Sequence, residues 1–155
     1  MGEKQTCATC TYIGKTYHGH ADDWGGKMHT CKKEPQRRAD VMKPSGDSAD
    51  DFMRNFRAFF DAKAGQTACR YHEERPALEG EEARVLGLLS EQGGRSAFGF
   101  FSAENRICEG MSGRFVERDE YAGHRRAASD GTQDWMLTEL GKHEAKRIAV
   151  VSEKA

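Results

Sequence analysis

The sequence predicts an α+β chain, and three observations predict it. Four cysteines, Cys7, Cys10, Cys31 and Cys69, span an N-terminal region whose first part is too rich in glycine for a continuous helix. Between the third and fourth cysteines, Phe52, Met53, Phe56, Phe59 and Phe60 fall at i, i+1, i+4, i+7 and i+8, one broad helical face. The C-terminal half then alternates helical and strand-like periods in the order helix, helix, strand, long loop, strand, helix.

Taken in order, Gly14, Gly19, Gly25 and Gly26 interrupt residues 4–31 and leave room for short strands around 11–13 and 27–30. Pro35, Pro44 and Gly46 mark residues 32–49 as an irregular, solvated connection. The Phe-rich helix is expected over 50–64, capped by Ser48 or Asp50 and ended by Gly65, with Arg54, Arg57, Asp61 and Lys63 facing water. Residues 73–80 read as a linker. A helix over 81–92 buries Val85, Leu86, Leu88 and Leu89 and stops at Gly93-Gly94. Ser102 caps a further helix through Met111, with Ile107, Cys108 and Met111 inward and Gly113 as its stop. Residues 115–118 form a strand, 135–137 its antiparallel partner, and Thr138 opens a last helix reaching about residue 150. The expected organisation is a four-cysteine module over 4–72, a linker over 73–80 and a second module over 81–151.

Composition constrains what such a chain can do. Of 155 residues, 37% are hydrophobic and 32% charged, a thin core that gains from an added cross-link. Met1 to Gln5 runs into the first cysteine with no apolar stretch, so neither a signal peptide nor a membrane anchor is expected. Five cysteines pair poorly as disulfides and suit a cytoplasmic, metal-bound state better. The net charge of -1 divides into +2 over residues 1–75 (13 Lys+Arg, 11 Asp+Glu) and -3 over 76–155 (11 and 14). Neither half is a polycation, so attraction to nucleic acid has to come from local patches.

Cys7-Ala-Thr-Cys10 has the spacing that lets one turn offer two thiolates to a single ion, and Cys31 and Cys69 complete a set of four. Zn2+ is the expected cofactor, because four thiolates satisfy its tetrahedron and leave no open position for chemistry. An iron–sulfur cluster also takes four thiolates and stays open as an alternative, as do reduced cysteines or a Cys7–Cys10 redox pair. Among the histidines, His29 and His72 are the alternative ligands, His29 ahead because it lies two residues from Cys31, while His18 and His20 sit in the glycine-rich stretch. A catalytic zinc needs three ligands and a water; His20, Asp22 and Asp23 could be drawn that way, which keeps a metal-dependent hydrolase as a further alternative. Cys108, beside Ile107 and Met111, reads as a buried small hydrophobe. Two basic spots could touch a phosphate backbone or an acidic surface: Arg37 and Arg38, with Lys32 and Lys33, close to the expected metal site, and Arg125 and Arg126 in the loop over 119–133.

Two resemblances arise from these residues. Cys7, Cys10 and Tyr12, then Cys31 and Pro35, then Cys69 and Tyr71 resemble the pattern of small phage and proteobacterial metal-binding proteins, over roughly residues 5–72. This implies a zinc-ribbon or knuckle-like module carrying the amphipathic helix. Gly113-Arg114-Phe115-Val116-Glu117-Arg118 and Leu137-Thr138-Glu139-Leu140-Gly141 are similar to segments of winged-helix regulators, over about residues 81–151. That resemblance implies a winged-helix-like second module whose wing would present Arg125 and Arg126. Together they imply a non-catalytic, DNA-binding accessory or regulatory factor of nucleic-acid metabolism, encoded by a phage or other mobile element. The rival is a protein–protein antagonist of a host complex, similar in style to anti-CRISPR proteins, which the -3 balance of the second half favours. The expected partner is accordingly nucleic acid or a host nucleoprotein or protein complex, with no membrane.

Overall fold

The computed structural model describes residues 5–17, 28–41, 62–119 and 131–154. It is a mixed α+β chain that divides into two compact units, residues 1–75 and 76–155.

The first unit is built on an antiparallel sheet in the order β1-β2-β3, from β1 (Ile13–Tyr17), β2 (Met28–Cys31) and β3 (Ala62–Lys63). Ile13 faces Cys31 across the first pair and His29 faces Ala62 across the second, with a bulge between Ile13 and Thr16. Among its described residues the buried apolar ones are Ile13 and Met28, with the smaller Cys7, Ala8, Cys10, Cys31, Ala62 and Ala64. Backbone hydrogen bonds tie its segments together. Cys7 N–H donates to the Gln66 carbonyl (3.0 Å), Ala8 N–H to Ala64 (2.8 Å), Thr11 N–H to Glu73 (2.8 Å) and Arg75 N–H to Thr9 (2.7 Å). Residues 73–75, expected in a linker, are therefore a structural edge of this unit. Arg75 is buried there, its guanidinium donating to the Ala8 carbonyl at 2.9 Å.

Residues 34–41, expected to be irregular, form a helix, α1 (Glu34–Val41). Pro35 falls in its first turn, where a missing N–H costs nothing, and Glu34 pairs with Arg38 one turn on at 3.3 Å. Most of the Phe-rich stretch, 50–61, lies outside the described residues. Its expected last turn does not: Ala62 and Lys63 are strand β3.

The second unit follows the order α2 (Gly80–Glu91), β4 (Arg95–Gly99), α3 (Ala103–Met111), β5 (Val116–Arg118), β6 (Thr132–Leu137), α4 (Glu139–Lys154). Glu81 and Glu82 favour the N-terminus of α2, and Val85, Leu86 and Leu89 bury its inner face. Gly93 (φ 78) and Gly94 (φ 91) end it in the left-handed region, where the Gly94 N–H reaches the Leu89 carbonyl at 2.8 Å. Strand β4, not expected from the sequence, follows at once. The sheet is antiparallel in the order β4-β6-β5, with Ser96 opposite Trp135 and Val116 opposite Leu137.

Ser102 caps α3, its hydroxyl accepting from the Asn105 N–H at 3.1 Å. Asn105 is buried and central: it accepts from the Trp135 indole at 2.8 Å and donates to the Phe100 carbonyl at 3.1 Å. Thr138 locks the start of α4, donating to the Arg114 carbonyl (2.6 Å) and accepting from the Gly141 N–H (3.0 Å). Gly141 lies against the Phe115 carbonyl, with no room for a Cβ. No helix among the described residues is long and apolar enough to cross a membrane.

Candidate metal centre

Three segments of the first unit bring the four cysteines around one narrow cavity. Cys7 and Cys10 bracket a single 3-10 turn closed by Cys10 N–H to the Cys7 carbonyl (3.1 Å). Cys31 ends β2, beside Ile13 of β1. Cys69 opens a turn of the same kind, closed by His72 N–H to the Cys69 carbonyl at 3.1 Å. All four line the cavity, together with Tyr12, Lys33, Arg37, Tyr71 and His72. Cys7, Cys10 and Cys31 are buried, Cys69 is half-buried, and all are free thiols.

The local chemistry suits a metal in part. Tyr12 N–H donates to the Cys10 sulfur at 3.5 Å, a contact that strengthens when the sulfur carries charge. Burial pushes the Cys7 thiol up to about 11, while a hydrogen bond from Gln66 and the positive charge of Arg37 pull the other way. An ion binding here at neutral pH must displace that proton, so affinity rises with pH. Among the described residues, no three Cys, His, Asp or Glu side chains already stand together in a metal-holding arrangement. Neutral thiols gain little by crowding; a divalent ion is what draws thiolates to a common distance of about 2.3 Å. The donor type, the number of sulfurs and their shared cavity are those Zn2+ takes; bound, it would cross-link three segments.

The two alternative ligands separate. His72 lines the cavity, with Nε2 2.8 Å from the Thr9 hydroxyl. His29 does not: fully buried on β2, it places Nδ1 2.9 Å from the Gly14 carbonyl, so its ring serves the sheet. The expected basic spot at Arg37 and Arg38 also divides, because Arg37 lines the cysteine cavity while Arg38 is paired with the buried Glu34 carboxylate. The basic spot is expected close to the cysteines, and Lys33 and Arg37 line their cavity; their i, i+4 spacing directly after Cys31 is the signal that puts both on one face. Arg125, Arg126, His18, His20, Asp22 and Asp23 lie outside the described residues.

Cys108 is fully buried on α3, and burial, followed by Glu104 and Glu109, pushes its thiol up to about 12. It packs as a hydrophobe in the second unit and takes no part in the cysteine cavity. No family model, curated protein or solved structure matches this chain.

Proposed function

We propose that this chain is a zinc-stapled, non-catalytic binding protein that acts as an accessory or regulatory factor on nucleic acid. The observation that carries the staple is the shared cavity of Cys7, Cys10, Cys31 and Cys69, drawn from three segments of the first unit. Metal binding free energy becomes folding free energy in such a unit. A four-thiolate site has no open position for a reacting water, which disfavours the hydrolase alternative.

For the second unit, the support is topological. A helix, a strand, a helix, then two strands in the sheet order β4-β6-β5 follows the order of a winged helix, except that one helix (α3) stands between β4 and β5 where a helix-turn-helix has two. In this reading the segment between β5 and β6 is the wing, and Arg125 and Arg126 are its phosphate anchors. Electrophoretic mobility over a salt series tests it: the apparent affinity should fall steeply with salt, and an Arg125→Glu/Arg126→Glu variant should lose it. A variant that binds as well as the parent removes the wing from the account.

One observation favours the second reading, a protein–protein antagonist. Phe101 is 96% exposed and Phe100 46% exposed on the turn between β4 and α3, in a half-chain of net charge -3. Adjacent exposed aromatics are the residues that anchor protein interfaces. If this reading holds, a Phe100→Ser/Phe101→Ser variant abolishes capture of a host protein from nuclease-treated lysate and leaves mobility shifts unchanged.

A further inference from the structure

The sulfurs do not line their cavity alone. Lys33 and Arg37 line it too, and none of its described lining residues is a carboxylate. Both cations are placed by the chain segment that leaves Cys31. Arg37 N–H donates to the Lys33 carbonyl at 2.9 Å, so the entry into α1 sets the two residues one turn apart on one face. The Lys33 ammonium is held 4.8 Å from the Tyr12 ring centroid and 5.9 Å from that of Tyr71, the aromatic residues that follow Cys10 and Cys69 by two positions.

Two cations beside a site of neutral donors would repel a divalent ion. They become favourable only when the donors over-neutralise it. Four thiolates around a divalent ion carry a net charge of about -2, which neighbouring cations stabilise; exchanging one thiolate for imidazole halves that charge and the stabilisation with it. We propose that the cavity takes one divalent ion as a four-thiolate centre and that Arg37 and Lys33 are its positioning counter-charges, an inference that rests on the metal-stapled reading above. His72 is then a brace rather than a ligand. Its contact with the Thr9 hydroxyl ties the Cys69–His72 turn to the Cys7–Cys10 turn, and so sets the spacing of three sulfurs.

Cobalt(II) titration of the full chain tests this, because the intensity of thiolate-to-cobalt charge transfer counts the thiolates. The parent and His72→Ala should both give a four-thiolate spectrum, and Cys69→Ser a three-thiolate one. Arg37→Met and Lys33→Met, which keep a stem for packing but remove charge, should keep the four-thiolate spectrum and weaken cobalt binding about 10–100-fold, with Arg37→Lys restoring most of it. Circular dichroism of the cobalt-saturated variants reports whether each still folds. Charge-removed variants that bind as tightly as the parent, or a parent spectrum of three-thiolate intensity, would overturn this inference alone. A parent chain that takes up no cobalt would overturn it together with the metal-stapled reading.

Discussion

Gly141 and Gly87 should respond to the same substitution with opposite signs. Both sit in helices, where exchanging glycine for alanine gains about 1 kcal/mol of backbone propensity. At Gly87 in α2 an added Cβ meets no atom within 4 Å, so Gly87→Ala should stabilise the second unit by up to about 1 kcal/mol. At Gly141 the added Cβ falls onto the Phe115 carbonyl, whose carbon is 2.9 Å away. That carbonyl cannot swing aside, because it accepts from the Thr138 N–H at 3.1 Å and its residue sits 4% exposed beside the fully buried Val116. The first turn of α4 must therefore lift off the turn after α3. Overpacking of this kind costs about 1–3 kcal/mol, and here it also strains two hydrogen bonds at Thr138. Net of propensity, Gly141→Ala should lose about 2 kcal/mol. For a unit of this size that lowers the midpoint by roughly 8–16 °C, against a rise of a few degrees for Gly87→Ala. Thermal melts followed by circular dichroism, with the near-ultraviolet signal of the tryptophans alongside, measure both. A Gly141→Ala midpoint equal to or above the parent's would refute the close approach of α4 to the Phe115 carbonyl.

Two further outcomes follow from the second unit. Asn105→Ala strands the buried indole N–H of Trp135 and should cost about 1–3 kcal/mol, whereas Ser102→Ala, which removes only the helix cap, should cost about 1 kcal/mol; urea titration ranks the two. The Cys108 thiol, pushed up to about 12, is neutral in both states at neutral pH and leaves stability unaffected there. As pH rises above 9 the unfolded chain ionises first, so stability should fall by up to about 1.4 kcal/mol per pH unit. Cys108→Ala should flatten that alkaline loss, and in the native parent Cys108 should resist alkylation until the unit unfolds.

What the sequence made legible was whatever left a local signature. Val85, Leu86 and Leu89 at helical spacing, with Gly93-Gly94 behind them, marked α2; Ser102 and Gly113 bounded α3; Thr138 opened α4. Strand β4 escaped because Arg95-Ser96-Ala97-Phe98-Gly99 pairs on one side only, with β6, and buries no residue fully, so neither alternation nor an apolar run announces it. Helix α1 escaped for a related reason. Glu34-Pro35-Gln36-Arg37-Arg38-Ala39-Asp40-Val41 carries hardly any apolar face, and an i, i+4 ion pair and the preceding turn hold it instead. Without α1, Lys33 and Arg37 were legible as part of a basic spot close to the cysteines but not as residues lining their cavity. The spacing of Cys7 and Cys10 was local and readable, but the choice between His29 and His72 depended on which ring faces the cavity, a tertiary fact.

The most direct test of the account is the metal content of the purified full chain, with its stoichiometry by native mass spectrometry and its thermal melt before and after a strong chelator. The account predicts one zinc ion per chain and, on chelation, loss of the melting transition of the first unit while that of the second persists. Anaerobically prepared protein that carries no metal, melts cooperatively in both units and ignores the chelator would contradict it.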